Sequence, residues 1–180
     1  MTDSSLHFSF RLPDKRDGAR VNELVAFCPP LDQNSLYCNL LQCYHFASTS
    51  VVAEADDKLQ GFVSGYRIPG RQHTLFVWQV MVAPAARGQK LGTQMILHLL
   101  RRLGPSVRNL ETTVTPDNQP SQALFQRLAK KLNTTCTTSP LFDSKAHIGG
   151  AHASEILWTI GPFASENQSA ESPKETHENI

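Results

Sequence analysis

The sequence predicts an α+β domain in which a mixed sheet is covered by helices. Short alternating or β-branched runs recur with turn signals between them. Four other stretches carry apolar residues at helical spacing, and the two kinds interleave in the order β-α-α-β-β-β-α-β-α-β-β. A chain of 180 residues has room for one such domain and little more.

Phe8, Phe10 and Leu12 alternate with polar residues, as in a half-buried strand. Asp17 opens a helix with Val21, Leu24, Val25 and Cys28 on one face, and Pro29-Pro30 stops it because proline lacks the N–H that the ladder needs. Asn34 or Ser35 caps a second helix whose Leu36, Leu40, Leu41 and Tyr44 are expected to turn inward. Val51–Ala53 begins a strand, Asp56-Asp57-Lys58 is its turn, and Leu59–Ile68 returns as a hairpin. Thr74–Ala83 is a continuous β-branched and aromatic run, the pattern of a central strand buried on both faces. Leu91, Met95, Leu99 and Leu103, joined by Ile96 and Leu100, then form a wide helical stripe that Gly104-Pro105 closes. Leu110–Val114 is a strand, Thr115–Asn118 a turn and cap, and Leu124, Phe125, Leu128 and Leu132 mark another packed helix. Thr134–Thr138 reads as a strand, Phe142–Ala151 as a loop and Ser154–Ile160 as the final strand.

The domain is expected over residues 1–163. Ala164–Ile180 holds four Glu, one Lys and almost nothing apolar, so it is expected to be a disordered acidic tail. The whole chain has 17 basic and 16 acidic residues, a net charge of +1, which argues against a dedicated nucleic-acid binder. Without the tail the balance is a surplus of four positive charges, suited to an anionic ligand. No apolar run approaches the roughly 20 residues of a membrane span, and Met1–Phe10 lacks the basic-then-apolar design of a secretory signal. A cytoplasmic protein is expected, with Cys28, Cys38, Cys43 and Cys136 reduced. Neither the cysteines nor the seven histidines show metal-ligand spacing, so no metal is expected.

The segment after the central strand carries the strongest chemistry. Arg87-Gly88-Gln89-Lys90-Leu91-Gly92-Thr93 leads into the leucine-striped helix. A helix start presents unpaired N–H groups and the positive end of the helix dipole. Gly88 and Gly92 permit close approach to the backbone, and Arg87 and Lys90 add charge, so a pyrophosphate fits here. The plainer role is a strand–helix connection with two turn glycines. Neither the triphosphate loop G-x-x-x-x-G-K-[ST] nor the dinucleotide fingerprint G-x-G-x-x-G is present.

Val80–Thr93, VMVAPAARGQKLGT, resembles motif A of the GNAT acetyltransferase superfamily, and Asn118–Phe125, NQPSQALF, resembles the second half of the same site. The resemblance implies a mostly antiparallel central sheet. It also implies an acetyl-CoA cosubstrate held by backbone N–H groups from Arg87 to Thr93, with Val80, Met81 and Val82 beside the thioester and Asn118 and Ser121 along the pantetheine. Lys90 stands where the signature usually has Gly, and Phe125 stands near the tyrosine that many members use to protonate the departing thiolate.

Leu31–Phe46 (LDQNSLYCNLLQCYHF), Thr49–Glu54 (TSVVAE), Thr112–Asn118 (TTVTPDN) and Gly150–Leu157 (GAHASEIL) are similar to the diaminobutyrate acetyltransferase family of ectoine biosynthesis. That resemblance runs from about Phe8 to Ile160 and departs at Ala153, where the family commonly has Asp. It implies acetylation of the γ-amine of L-2,4-diaminobutyrate, osmoadaptation as the role, and a homodimer. A substrate with two ammonium groups and one carboxylate needs anions and a donor. Asp32 and Glu155 are the candidate anions and proton acceptors, and Trp78, Tyr37 and His152 are the further candidate contacts. Each also has an ordinary role open to it: Asp32, Asn118 and Ser121 as caps, Glu155 as a solvated strand end, Trp78 as core and His152 as a loop residue. An enzyme for another small amine, or a silent acyl-CoA-binding module favoured by Lys90 and Phe125, also stays open.

Overall fold

The computed structural model describes residues 7–28 and 34–164. The expected acidic tail, from Ser165 on, and Asp32 lie outside them. Seven strands form one sheet in the order β1-β2-β3-β4-β5-β7-β6. The strands are β1 (Ser9–Arg11), β2 (Val51–Ala55), β3 (Lys58–Ile68), β4 (Arg71–Val82), β5 (Asn109–Val114), β6 (Cys136–Phe142) and β7 (Glu155–Ile160). Every neighbouring pair is antiparallel except β4 and β5. The helices are α1 (Asp17–Ala26), α2 (Leu36–Tyr44), α3 (Leu91–Leu103), α4 (Gln119–Lys131) and α5 (Ser144–Ile148). The element order matches the sequence expectation apart from α5. Asp143, which accepts from the N–H groups of Lys145 and Ala146, nucleates that turn within the expected loop.

The core lies on both faces of the sheet. On one face the α3 stripe, with Leu91, Met95, Ile96, Leu99 and Leu100 at 0–1% exposure, packs with Phe125 and Leu128 of α4 against Val77, Leu110 and Ile160. Full burial of each such side chain contributes roughly 1.5–3 kcal/mol. On the other face α1 sets Val21, Leu24 and Val25 on Val52, Phe62 and Met81. Here the expectation for α2 holds only in part: Leu40 lies against Gly18 of α1. Leu36 and Tyr44 are 47% and 66% exposed, while Asn39, Gln42 and Cys43 are fully buried. The reason is that α2 packs on α1 through carboxamides: Asn22 Nδ2 donates to Asn39 Oδ1 at 3.0 Å, and Asn39 Nδ2 donates to Gln42 Oε1 at 3.2 Å.

An ion cluster ties β1, α1 and β2 together. Asp17, 1% exposed, receives both terminal nitrogens of Arg11 at 2.7 and 2.8 Å, and Arg11 and Arg20 also reach Glu54. Burial alone would raise the Asp17 pKa, but the bonds from Arg11 and from the Asp14 N–H outweigh it and hold it low. Arg11, acting first, and Arg20 bring Glu54 down to about 2 against the cost of its partial burial.

Two irregularities in β4 prepare the site. The parallel pairing with β5 covers only Thr74–Asn109, Leu75–Leu110 and Phe76–Glu111, and beyond it the strands part. Arg71 braces the fork by gripping Glu111 with two bonds of 2.6 and 3.0 Å. The pairing with β3 also slips: Ser64 faces Gln79 but Gly65 faces Val77, which leaves Trp78 as an extra residue. Val77 and Val80 therefore pack on the same hydrophobic cluster although three residues separate them, an odd step that alternation forbids without a bulge. The expectation that Thr74–Ala83 is buried on both faces is corrected here: Trp78 is 45% exposed and Phe76, Val80 and Val82 are half-buried, because the fork removes the neighbouring strand.

Candidate active site

The fork between β4 and β5 holds a cavity of about 380 Å³. Val77–Val80 line one wall and Thr112–Thr115 the other, with Ser121 and Phe125 of α4, one helical turn apart, on the α4 side. Asn34, Asp117, Asn118, His152, Ala153 and Glu155 complete the lining. Glu155 arrives because β7 runs antiparallel to β5 and starts opposite its far end, with Ile156 beside Val114. Among the described residues the lining thus contains two carboxylates, Asp117 and Glu155, and no Lys or Arg. A hydrogen bond from Thr115, the leading cause, holds Asp117 below the usual carboxylate range and keeps it anionic at neutral pH.

Five of the residues singled out in the sequence meet at this cavity: Trp78, Glu155, His152, Asn118 and Ser121. Val80 does too. Tyr37 does not line it; it is 69% exposed on α2. Asn118 also acts as the cap of α4, its Oδ1 accepting from Ser121 N–H at 3.2 Å. The sequence reading missed Asn34, Gln79, Asp117 and the hydroxyls of Thr112, Thr113 and Thr115. The threonines lay within a quoted motif, but nothing in their spacing shows that β5 has lost its neighbour. The loop at 152–154, where Ala153 replaces an expected Asp, is held by Ser144: its N–H donates to Ser154 Oγ at 2.9 Å and its hydroxyl donates to the His152 carbonyl.

The backbone next to the cavity has unspent donors. Ala83 N–H bonds Gln60 O of β3 at 2.8 Å. Alternation along the antiparallel ladder then turns Met81 and Gln79 toward β3 as well, and turns the N–H groups of Val80 and Val82 to the forked side. Met81 itself is fully buried against α1.

The loop after β4 continues directly from this wall. Arg87 N–H is already used, bonding Pro84 O at 3.3 Å. The first bond of α3 runs from Gln94 N–H to Lys90 O, so the N–H groups of Leu91, Gly92 and Thr93 have no intrahelical acceptor. Lys90 sits at φ 59°, ψ 21°, the left-handed conformation that a glycine adopts without cost. A Cβ on Gly92 would lie 2.6 Å from Leu124 Cδ1 and 3.3 Å from Val80 Cγ1, so its absence lets α3 begin against both the cavity wall and α4. Thr93 Oγ1 is buried without a hydrogen-bond partner. Arg87 and Lys90 are exposed beside these donors. A diphosphate fits this arrangement.

Among the described residues no group of three His, Cys, Asp or Glu is placed to hold a metal, and no helix is long and apolar enough to cross a membrane. None of the four cysteines lines the cavity. Burial pushes the Cys43 thiol up to about 12, which leaves it a poor nucleophile.

The family model for the GNAT acetyltransferases matches residues 19–129. An L-2,4-diaminobutyric acid acetyltransferase of Methylotuvimicrobium alcaliphilum is 51% identical over 152 residues, which cover 84% of this chain and 88% of that protein. The protein of the same name from Vibrio cholerae is 45% identical over 168 residues, covering 93% and 96% of the two chains. The solved structure of the diaminobutyrate acetyltransferase EctA of Paenibacillus lautus, in complex with its substrate L-2,4-diaminobutyric acid and coenzyme A, superposes with a TM-score of 0.83 at 36% identity, covering 88% of this chain and 97% of that one. Fork, anion loop and sequence agree: the chain belongs to the GNAT acetyltransferases and, within them, to the L-2,4-diaminobutyric acid acetyltransferases.

Proposed function

We propose that the protein transfers the acetyl group of acetyl-CoA to the γ-amino group of L-2,4-diaminobutyrate, giving Nγ-acetyl-L-2,4-diaminobutyrate. One observation carries this reading: a cavity lined by two carboxylates and no cationic side chain opens, at Val80, beside a cationic loop suited to a diphosphate. An anionic carrier and a cationic acceptor each find their complement, and the two meet at one strand.

The donors of Leu91–Thr93, with Arg87 and Lys90, hold the diphosphate. Glu155 and Asp117 attract the ammonium groups, and Trp78 packs on the methylene chain. Asp32 and His152 are assigned to the acceptor side from the sequence. A γ-ammonium has a pKa near ~10 and must lose a proton before attack. Glu155, directly or through water, accepts it. The amine nitrogen then bonds the thioester carbon, and one of the outward N–H groups of β4, that of Val80 or of Val82, stabilises the developing oxyanion, a contribution of roughly 3–4 kcal/mol where such donors have been measured. The C–S bond breaks and the thiolate takes a proton from solvent or from the substrate nitrogen, because Phe125 has none to give. The amine attacks the thioester directly in a ternary complex.

The same reading places the protein in the cytoplasm, where acetyl-CoA is made, in a compatible-solute pathway serving osmoadaptation. It also makes the protein a homodimer; edge strand β6, with Leu141 and Phe142 38% and 46% exposed, is the surface available for a second copy. Sedimentation of the purified protein tests the dimer. For the reaction, the protein is incubated with acetyl-CoA and L-2,4-diaminobutyrate and the product identified by NMR. Thiol release with acetylation at the γ-nitrogen is expected. No thiol release, or acetylation only at the α-nitrogen, defeats the assignment.

A further inference from the structure

An acceptor with an α-carboxylate poses a problem for a cavity that holds two carboxylates and no Lys or Arg. Neutral donors must meet that group. Trp78, His152, the threonines, Asn34 and Gln79 all border the space, but Gln79 differs from the rest in how it is held.

Gln79 follows the β4 bulge and is 7% exposed. A primary amide buried to that degree is costly unless both its ends are used. Asn34 Nδ2 donates to Gln79 Oε1 at 3.2 Å. The oxygen is thereby taken, and the Nε2 end is the end left for a ligand. Asn34 is itself anchored: Asn22 Nδ2 of α1 donates to the Asn34 carbonyl at 3.2 Å and to Asn39 Oδ1 at 3.0 Å, and Asn39 and Gln42 are fully buried behind it. A row of carboxamides thus runs from the interior of the α1–α2 pair to the cavity wall.

We propose that Gln79 is a specificity-determining residue whose Nε2 donates to the α-carboxylate of the diamino acid, and that Asn34 is a positioning residue fixing the Gln79 amide in that orientation. The assignment rests on the acceptor reading above. A carboxamide suits the place better than a cation. An arginine here would pair with Glu155 or Asp117 and neutralise the anions that the two amines require. A site built to hydrogen-bond one substrate group also rejects analogues lacking it, since its buried donor is then left unpaired.

The test compares L-2,4-diaminobutyrate with 1,3-diaminopropane, the same diamine without the carboxylate. Steady-state kinetics are measured for the wild type, Gln79→Glu, Gln79→Met and Asn34→Ala, with the coenzyme A Kd as the control for folding. Gln79→Glu is expected to lower kcat/KM for the diamino acid about 100-fold, mainly through KM, from a lost bond and a new repulsion. Turnover of 1,3-diaminopropane should be unchanged or improved. Gln79→Met and Asn34→Ala should raise KM for the diamino acid about 10-fold, with kcat within about twofold and no change for the diamine. Equal losses on both substrates, or an unchanged ratio between them, in whichever of these variants retain coenzyme A binding, overturn the assignment while leaving the acceptor reading in place. A wild type that fails to acetylate diaminobutyrate overturns both.

Discussion

The carrier loop and the acceptor cavity meet at Val80, yet they are built on opposite plans. Apart from Asn118 and Ser121, the proposed carrier side is one run of consecutive residues, Val80–Thr93, whose proposed recognition groups are backbone N–H donors at a helix start. The acceptor side gathers side chains from segments far apart in sequence: Asn34 before α2, Trp78 and Gln79 on β4, Asp117 before α4 and Glu155 on β7. Recognition through backbone tolerates change in side chains provided the conformation survives. Recognition through converging side chains does not, because each group has its own charge and place. Substitutions at the cavity should therefore act on the acceptor alone and strongly, whereas side-chain changes in the loop should be mild.

The largest effect is expected at Glu155. Glu155→Gln keeps the shape and removes both the anion and the proton acceptor. A loss of about 10²–10⁴ in kcat/KM for diaminobutyrate is expected, with the coenzyme A Kd within twofold of wild type. Stopped-flow thiol release and calorimetric titration read the two quantities separately. A parallel loss of coenzyme A affinity would show that the two sides are one coupled unit and would dissolve the contrast.

A region that belongs to neither side gives the next effect. Asp17 is buried against Arg11 and Arg20, but both arginines are 37% exposed and keep Glu54, so removing Asp17 costs about 1–3 kcal/mol, the worth of the charge-assisted bonds it accepts. Asp17→Ala should lower stability to urea by that order while kcat and KM of the folded fraction stay constant. The pH dependence has a definite sign. Asp17 and Glu54 both have folded-state pKa values below their ordinary ones, Glu54 at about 2. Their contribution is complete above the unfolded values near 3.8 and 4.5 and is lost as pH falls toward 2. Wild-type stability should thus decline from about pH 5 to pH 2 more steeply than that of Asp17→Ala, measured by urea denaturation at each pH.

These two regions also differ in how far they could be read in advance. The α3 stripe and the glycines of the loop are local signals: period and turn chemistry declare the helix and its anion-binding start before any tertiary contact is known. The cavity is a consequence of two events that no local pattern announces, the slip of β3 against β4 at Trp78 and the parting of β4 from β5 after Phe76. A β-branched and aromatic run from Thr74 to Ala83 looks the same whether its neighbour strand stays or leaves. The inward face of α2 was misread for a related reason. Asn39 is buried because Asn22 of α1 donates to it, and a partner 17 residues away leaves no mark on helical periodicity; Gln42 is buried behind it with its Oε1 held by Asn39 and its Nε2 without a partner. The motifs that carry the family resemblance contain His152 and Glu155, and also Asn34 and Asp117 without marking them; Trp78 follows from the needs of a cationic acceptor, Gln79 from neither, and only the folded arrangement brings them to one wall.

A smaller effect is expected at Trp78, exposed at the bulge and edge-on to Tyr66 at 6.4 Å between ring centroids. Packing of an ammonium or methylene chain on its face contributes about 0.5–2 kcal/mol. Trp78→Leu should raise KM for diaminobutyrate by about 2- to 30-fold and leave coenzyme A binding unchanged. An unchanged KM would return Trp78 to an ordinary surface role and shrink the acceptor side to its charged groups.

The smallest effect falls at Lys90 and tests the carrier side's plan most directly. Lys90 occupies φ 59°, where a side chain costs about 1 kcal/mol and glycine almost nothing. Lys90→Gly removes that cost, retains the N–H, and gives up one exposed charge whose pairing with a phosphate is screened by salt. Stability should rise by up to about 1 kcal/mol, a Tm increase of about 2–4 °C for a chain of this size, and the coenzyme A Kd should weaken less than about fivefold at 0.15 M salt. Lys90→Val keeps the chain uncharged as well but forces a β-branched residue into the left-handed region. It should weaken coenzyme A binding more than Lys90→Gly does, although both lack the ammonium. If instead the two variants lose affinity equally, the ammonium rather than the backbone grips the diphosphate, and the carrier side is built from side chains like the acceptor side.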